Sequence, residues 1–124
     1  MVLIATSYEH GCTYCVAADS GLARVEGLSE ENIEALRNGT PLLDSKLSAL
    51  RDLTIKLVQN RGWMGKEEVE AFFAAGYGKQ QVLEVILGIS HKLMSNFTNH
   101  VASTPLDKPF QKDAWEKPSA EAVA

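Results

Sequence analysis

The residues best suited to chemistry stand together in the stretch "YEHGCTYCVAADS", where Cys12 and Cys15 lie three apart and Asp19 follows four later. If Cys12 opens a helix just after Gly11, it meets unpaired N–H groups and the positive end of the helix dipole. Both lower a thiol's pKa, and the thiolate is the reactive form. Cys15 falls one turn on, on the same face, within disulfide reach once oxidised. Asp19 is i+4 from Cys15, so its carboxylate can approach the same sulfur. A carboxylate there can take the thiol's proton, yet its charge opposes a thiolate, and the sign of its effect stays open.

Other readings of the pair stand beside this one. Free cysteines are among the most buried residues, and two core thiols would be unremarkable. A C-x-x-C is also half a zinc ligand set, but the other half would have to come from His10, His91 or His100, at no metal-site spacing. A thioredoxin-like motif expects a βαβ context, for which the chain offers no strand pattern.

The bulk properties limit the partners. With 124 residues, 45% apolar and 23% charged, the chain is one soluble-type domain's worth. The formal charge is −4 and the basic residues are scattered, so neither nucleic acid nor an anionic membrane surface is expected as a partner. No apolar run approaches the roughly 20 residues that span a bilayer. The opening "MVLIATSYEHGC" is too short, and lacks the basic start, for a signal peptide. The sequons at Asn38 and Asn96 therefore carry no weight, and a reducing cytoplasm is the expected location, where a lone cysteine pair is not a structural staple.

The elements that must position the cysteines all read as helices. "VLIATSYEH" ends at Gly11, and a second helix runs from about Cys12 to Glu26 and stops at Gly27. In "GLSEENIEALRNG", Ser29 is the N-cap, Glu30 and Glu31 suit the positive end, Leu28 staples onto Ile33, and Gly39 closes the helix. A fourth helix starts near Asp44, carries Leu47, Leu50, Leu57 and Val58 as a stripe, and ends at Gly62. A short fifth presents Val69, Phe72 and Phe73. The last, from about Lys79 to Ala102, places Val82, Val85, Ile86, Ile89, Leu93 and Phe97 on one face, with Leu83 and Leu87 adding a second apolar face. A helix apolar nearly all round needs cover on all sides, which predicts self-association. After Pro105 an extended tail is expected, anchored by Phe110 and Trp115, with the closing "PSAEAVA" loose.

The segment "SYEHGCTYCVAADSGLAR" resembles the signature of the carboxymuconolactone decarboxylase superfamily, on its alkylhydroperoxidase D (AhpD)-like branch. The resemblance continues through "GLSEENIEALRNG" and the helices from "LSALRDL" to "ASTPLD", and into "KPFQKDAW", so it spans Met1 to about Trp115. It implies an all-α bundle of about six helices, assembled as a homo-oligomer, commonly a trimer or hexamer. It divides the chain into an AhpD-like domain, residues 1–104, and a C-terminal tail, residues 105–124.

The implied activity is that of a thiol-dependent peroxidase, an alkyl hydroperoxide reductase. Cys15 would be the peroxidatic cysteine and Cys12 the resolving one, which guards the nucleophile against over-oxidation. The partners are then a peroxide substrate and an external dithiol reductant, with no cofactor and no metal. No flavin or nicotinamide fingerprint such as G-x-G-x-x-G is present. Tyr14, inside the motif, would either donate a hydrogen bond to a peroxide oxygen or pack its ring on a neighbouring helix. His10 would either face solvent at a helix end or join a proton relay. Asn96, Asn99 and His100 form a polar turn on the last helix, expected to make interhelical hydrogen bonds.

The chain departs from the family pattern in two places. Asp19 stands where the family usually has a relay histidine, and an ordinary carboxylate stays ionised at neutral pH. Replacing Asp19 with His is accordingly expected to raise the rate. The relay's acidic residue falls just ahead of Met1, Glu9 is too close to Cys12 to replace it, and the helices preceding the signature in longer members are absent. The expectation is a naturally short form or a late-start product with weakened catalysis. The alternative is a non-catalytic redox-sensing or interaction protein on the same fold. Decarboxylase-type activity, which does not characteristically use this cysteine pair, and a metal-binding module stand behind it.

Overall fold

The computed structural model describes residues 1–119. Its elements are α1 (Val2–Glu9), α2 (Thr13–Val25), α3 (Glu30–Asn38), α4 (Ser45–Gln59), α5 (Lys66–Ala74) and α6 (Lys79–Ala102), followed by a short 3-10 helix, Lys108–Asp113. No strand occurs among the described residues, so the all-helical class holds. None of the helices is long and apolar enough to cross a membrane.

Local chemistry sets the boundaries. Cys12 is the N-cap of α2, its sulfur accepting from the Cys15 N–H at 3.3 Å. Ser29 caps α3 through the Asn32 N–H, and Asp44 caps α4 through the N–H groups of Lys46 and Leu47. Gly39 closes α3 at φ 67°, a left-handed conformation that penalises a side chain. A Cβ there would also run into the Tyr8 hydroxyl.

The centre of the bundle is α1, which packs against α2, α3, α4 and α6 and buries four consecutive residues, Ile4 to Ser7. One apolar cluster gathers Ile4 and Ala5 with Ala23, Ile33, Leu36 and Leu42. A second joins Leu53 and Leu57 of α4 to Phe72 of α5 and Val85 of α6. Leu28 packs on the first cluster, the one that contains Ile33. On α4 the deepest residues are Leu53 and Thr54, which the anticipated stripe left out. Phe72 stacks on Tyr77 with ring centroids 4.4 Å apart.

The helix α6 has the expected bounds but a different inner face. Val85 is buried and Val82 and Ile89 are half-buried, but Ile86, Leu93 and Phe97 are 43%, 40% and 52% exposed. They join Leu83, Leu87, Met94 and Val101 on an apolar stripe that faces outward. The true seam steps by threes and fours through positions 82, 85, 89, 92, 96 and 99, so it turns polar at Lys92, Asn96 and Asn99. Apolar identity misassigned the stripe because the outer face of α6 is as apolar as the inner one.

Beyond Pro105 the chain is not simply extended. The 3-10 helix packs on α2, and Trp115 is buried against Tyr8, its Nε1–H donating to the Arg37 carbonyl at 2.7 Å. Phe110 meets Tyr14 edge-on. Arg37 ties the tail down by donating to the carbonyls of Asp113 and Ala114. Of the "PSAEAVA" segment expected to be loose, all but Pro118 and Ser119 lies outside the described residues.

Candidate functional site

The turn from α1 into α2 places the cysteines. Gly11 takes φ 65°, and the Cys12 N–H donates to the Ser7 carbonyl at 3.0 Å, which returns the chain directly into α2. Cys12 and Cys15 are joined as a disulfide with their Cα atoms 5.2 Å apart. Both are only 1% exposed, at the amino end of α2 where the free N–H groups point. Asn99 of α6 donates to the Cys15 sulfur from Nδ2 at 3.2 Å.

Asp19 is buried, but its carboxylate is turned to other partners than the sulfur. Lys92 of α6 places Nζ 2.8 Å from Oδ2 and 3.0 Å from Oδ1. The Ser7 hydroxyl of α1 donates to Oδ2 at 2.9 Å. Three helices thus meet at one carboxylate, and a lysine 4% exposed supplies the compensating charge. Burying either charge alone would cost several kcal/mol, of order 3–5 when a partner is removed.

From Asp19 the polar contacts continue to the end of α1. The Ser7 hydroxyl is also 3.2 Å from Asn96 Oδ1, and Asn96 Nδ2 is 2.9 Å from His10 Nδ1. Asn96 is fully buried, and every buried side-chain polar atom among the described residues has a partner. His10 is the C-cap of α1 and half-buried, rather than facing solvent, and its ring lies against Phe97. Its pKa is lowered from the usual imidazole value by burial first, then by His100 and Lys117, with Glu9 acting in the opposite sense. A neutral ring accepting at Nδ1 fits that direction.

Two cavities flank this polar chain. One of about 350 Å³ opens beside His10 between Leu57, Val58, Ile89 and Leu93. The other, about 340 Å³, has Asp19 in its wall with Ile4, Leu22 and Leu28.

Tyr14 is committed elsewhere. Its hydroxyl donates to Asp107 at 2.6 Å, and that hydrogen bond, followed by burial, raises its pKa. Of its two anticipated roles, the ring is packed, on Phe110 of the tail. The polar turn of α6 divides: Asn96 and Asn99 bond across helices, whereas His100 is exposed and its ring lies over Phe97. Among the described residues no three His, Cys, Asp or Glu side chains come together as metal ligands.

Sequence reasoning singled out Cys12, Cys15, Asp19 and His10, but passed over Lys92 and Ser7. The signal for Lys92 was available: it occupies a seam position, three after Ile89 and four before Asn96. Ser7 gave no signal, being a small hydroxyl inside an apolar run. No protein-family model matches the chain, and no curated protein matches it.

Proposed function

We propose that the chain is a thiol-dependent peroxidase of AhpD-like type, working as a homo-oligomer in a reducing compartment. The Cys15 thiolate attacks the outer oxygen of a hydroperoxide, forming Cys15–S–OH and releasing an alkoxide, or hydroxide from hydrogen peroxide, which takes up a proton. Cys12 then attacks the sulfenic sulfur, its proton leaving with the hydroxyl as water, and the disulfide results. An external dithiol returns two electrons and two protons and is itself oxidised to a disulfide.

The observation that carries this reading is the paired sulfurs at the amino end of α2, with the Asn99 amide donating to Cys15. Backbone N–H groups and an amide donor are the surroundings that favour a thiolate in a protein interior.

A redox sensor without turnover is the second reading, favoured by two specific observations. Both sulfurs are 1% exposed, and Asp19, at the relay position, is held by Lys92. The test is peroxide consumption in the presence of small dithiols. Turnover by the chain, abolished in Cys15→Ser, supports the peroxidase. Oxidation to the disulfide without repeated turnover supports the sensor.

A further inference from the structure

We infer that Asn99 is the side chain that activates Cys15, its amide N–H donating to the sulfur more strongly as a thiolate than as a disulfide. The inference rests on the peroxidase reading for its meaning, but its test needs no peroxide.

The argument starts from the seam of α6. Lys92, Asn96 and Asn99 follow one another on the buried side, and each meets a different partner. Lys92 closes on Asp19, and Asn96 closes on Ser7 and His10, so both are consumed in holding α1, α2 and α6 together. Asn99 turns to the sulfur instead. Its Nδ2 is 3.2 Å from Cys15 Sγ, within the reach of a sulfur hydrogen bond.

A donor facing a buried sulfur acts differently on its two redox states. A disulfide sulfur is a weak neutral acceptor, while a thiolate is a charged one, and hydrogen bonds to charged partners are roughly twice as strong. The amide therefore stabilises the reduced, ionised form over the oxidised one. It lowers the Cys15 pKa and makes the pair a better oxidant.

Asymmetry between the two sulfurs follows. Cys12 Sγ accepts from the Cys15 backbone N–H as the N-cap, and Cys15 has the side-chain donor. The dipole of α2 alone favours the residue nearer its end, which is Cys12. Asn99 supplies what the dipole withholds from Cys15.

Charged and titratable groups on the surrounding elements have other partners. On α1, Glu9 accepts from Gln59 and His10 from Asn96. Asp19 of α2 is paired with Lys92 of α6, and Asp107 of the tail takes the Tyr14 hydroxyl. His100, next to Asn99, lies against Phe97.

The experiment uses Asn99→Leu, which keeps the branched shape and removes the donor, and Asn99→Ala, which removes the donor without adding bulk. Thiol pKa values are read from the pH dependence of alkylation, for Cys15 in a Cys12→Ser background and for Cys12 in a Cys15→Ser background. The potential of the intact pair is read against dithiothreitol buffers. Asn99→Leu should raise the Cys15 pKa by about one unit, lowering its neutral-pH alkylation about tenfold. It should leave Cys12 unmoved and shift the pair toward the disulfide. Asn99→Ala should raise the Cys15 pKa likewise, and decides the matter if circular dichroism shows the Leu variant unfolded. Equal shifts on both cysteines would mark a structural role and overturn the inference, as would no shift on Cys15. A shift confined to Cys15 with no peroxide turnover upholds the inference and overturns only the peroxidase.

Discussion

Lys92 Nζ lies 2.8 Å and 3.0 Å from the two carboxylate oxygens of Asp19, with the side chains only 6% and 9% exposed. A pair this deep is bound to itself more than to any reaction. Removing one partner leaves the other charged and dry. Asp19→Asn and Lys92→Met should each destabilise the fold by about 3–5 kcal/mol, measured by urea unfolding. The double variant should cost much less than their sum, because neither charge is then left alone. Additive costs would show the two groups uncoupled.

The same pair changes what Asp19→His is expected to do. From sequence, a histidine at the relay position of the family that the motif resembles promises a faster rate, on the proposed peroxidase reading. In the fold it strips Lys92 of its counter-charge and Ser7 of its acceptor. Asp19→His should therefore lower the unfolding midpoint without raising the peroxide rate. Combining it with Lys92→Met, which removes the stranded charge, should restore most of the stability and give the fair test of the relay. A faster single variant of undiminished stability would overturn this account.

The two cysteines should differ sharply under peroxide. In Cys12→Ser, Cys15 should still be oxidised and, with no resolving thiol, give a sulfenic acid that dimedone traps and that climbs to sulfinic acid. In Cys15→Ser, Cys12 should react at least about tenfold more slowly, since it lacks the Asn99 donor. Trapping on Cys12 alone would reverse the assignment, and reaction of neither above the rate of free cysteine would favour the sensor.

What the sequence disclosed was mostly local. The caps at Ser29 and Asp44 are side chains bonding their own backbone, and Gly39 closes α3 through a left-handed conformation, so reading them needs no tertiary partner. Trp115 was legible as an anchor because a ring that large is well buried on average, although Trp63, the other tryptophan, is 84% exposed. The partners of Asp19 and Tyr14 were not legible. Lys92 is 73 residues from Asp19, and Asp107 is 93 from Tyr14, and nothing in the local pattern selects one distant charge over another. The inner face of α6 was misread where apolar residues run on both sides, although a lysine and two asparagines at seam spacing mark the buried one.

The exposed stripe of α6 gives the association prediction. Leu83, Leu87 and Met94 are each about two-thirds exposed at 68%, 70% and 68%, with Ile86 and Phe97 between them. Covering such a surface returns about 25 cal/mol per Å² removed from water. Light scattering at micromolar concentration should find particles larger than one 13.5 kDa chain. Leu87→Lys should dissociate them while changing the monomer's stability by less than about 0.5 kcal/mol, as for an ordinary surface position. A single-chain particle for the unaltered protein would exclude association through α6.

Acid should act on the fold through His10. Burial and the neighbouring His100 and Lys117 lower its folded pKa, with Glu9 opposing. A histidine whose folded pKa is depressed binds more protons when unfolded, so stability rises with pH between the two values. Its contribution is complete above the unfolded value, about 6.5, and is lost as pH falls through the lowered folded value. The geometry gives the same sign. A protonated His10 carries N–H at Nδ1, facing the Asn96 Nδ2 donor 2.9 Å away. Asn96 must then turn its amide over, giving Oδ1 to His10 and its NH2 to the Ser7 oxygen, while Ser7 donates to Asp19. Unfolding free energies measured from about pH 8 to pH 5 should fall more steeply for the unaltered chain than for His10→Gln, which keeps an acceptor and does not titrate. His91 and His100 are present in both proteins, so the difference between the curves belongs to His10 and its coupling to His100. Parallel curves across that range would mean that His10 binds its proton equally in both states, and that its contact with Asn96 does not depend on the neutral ring.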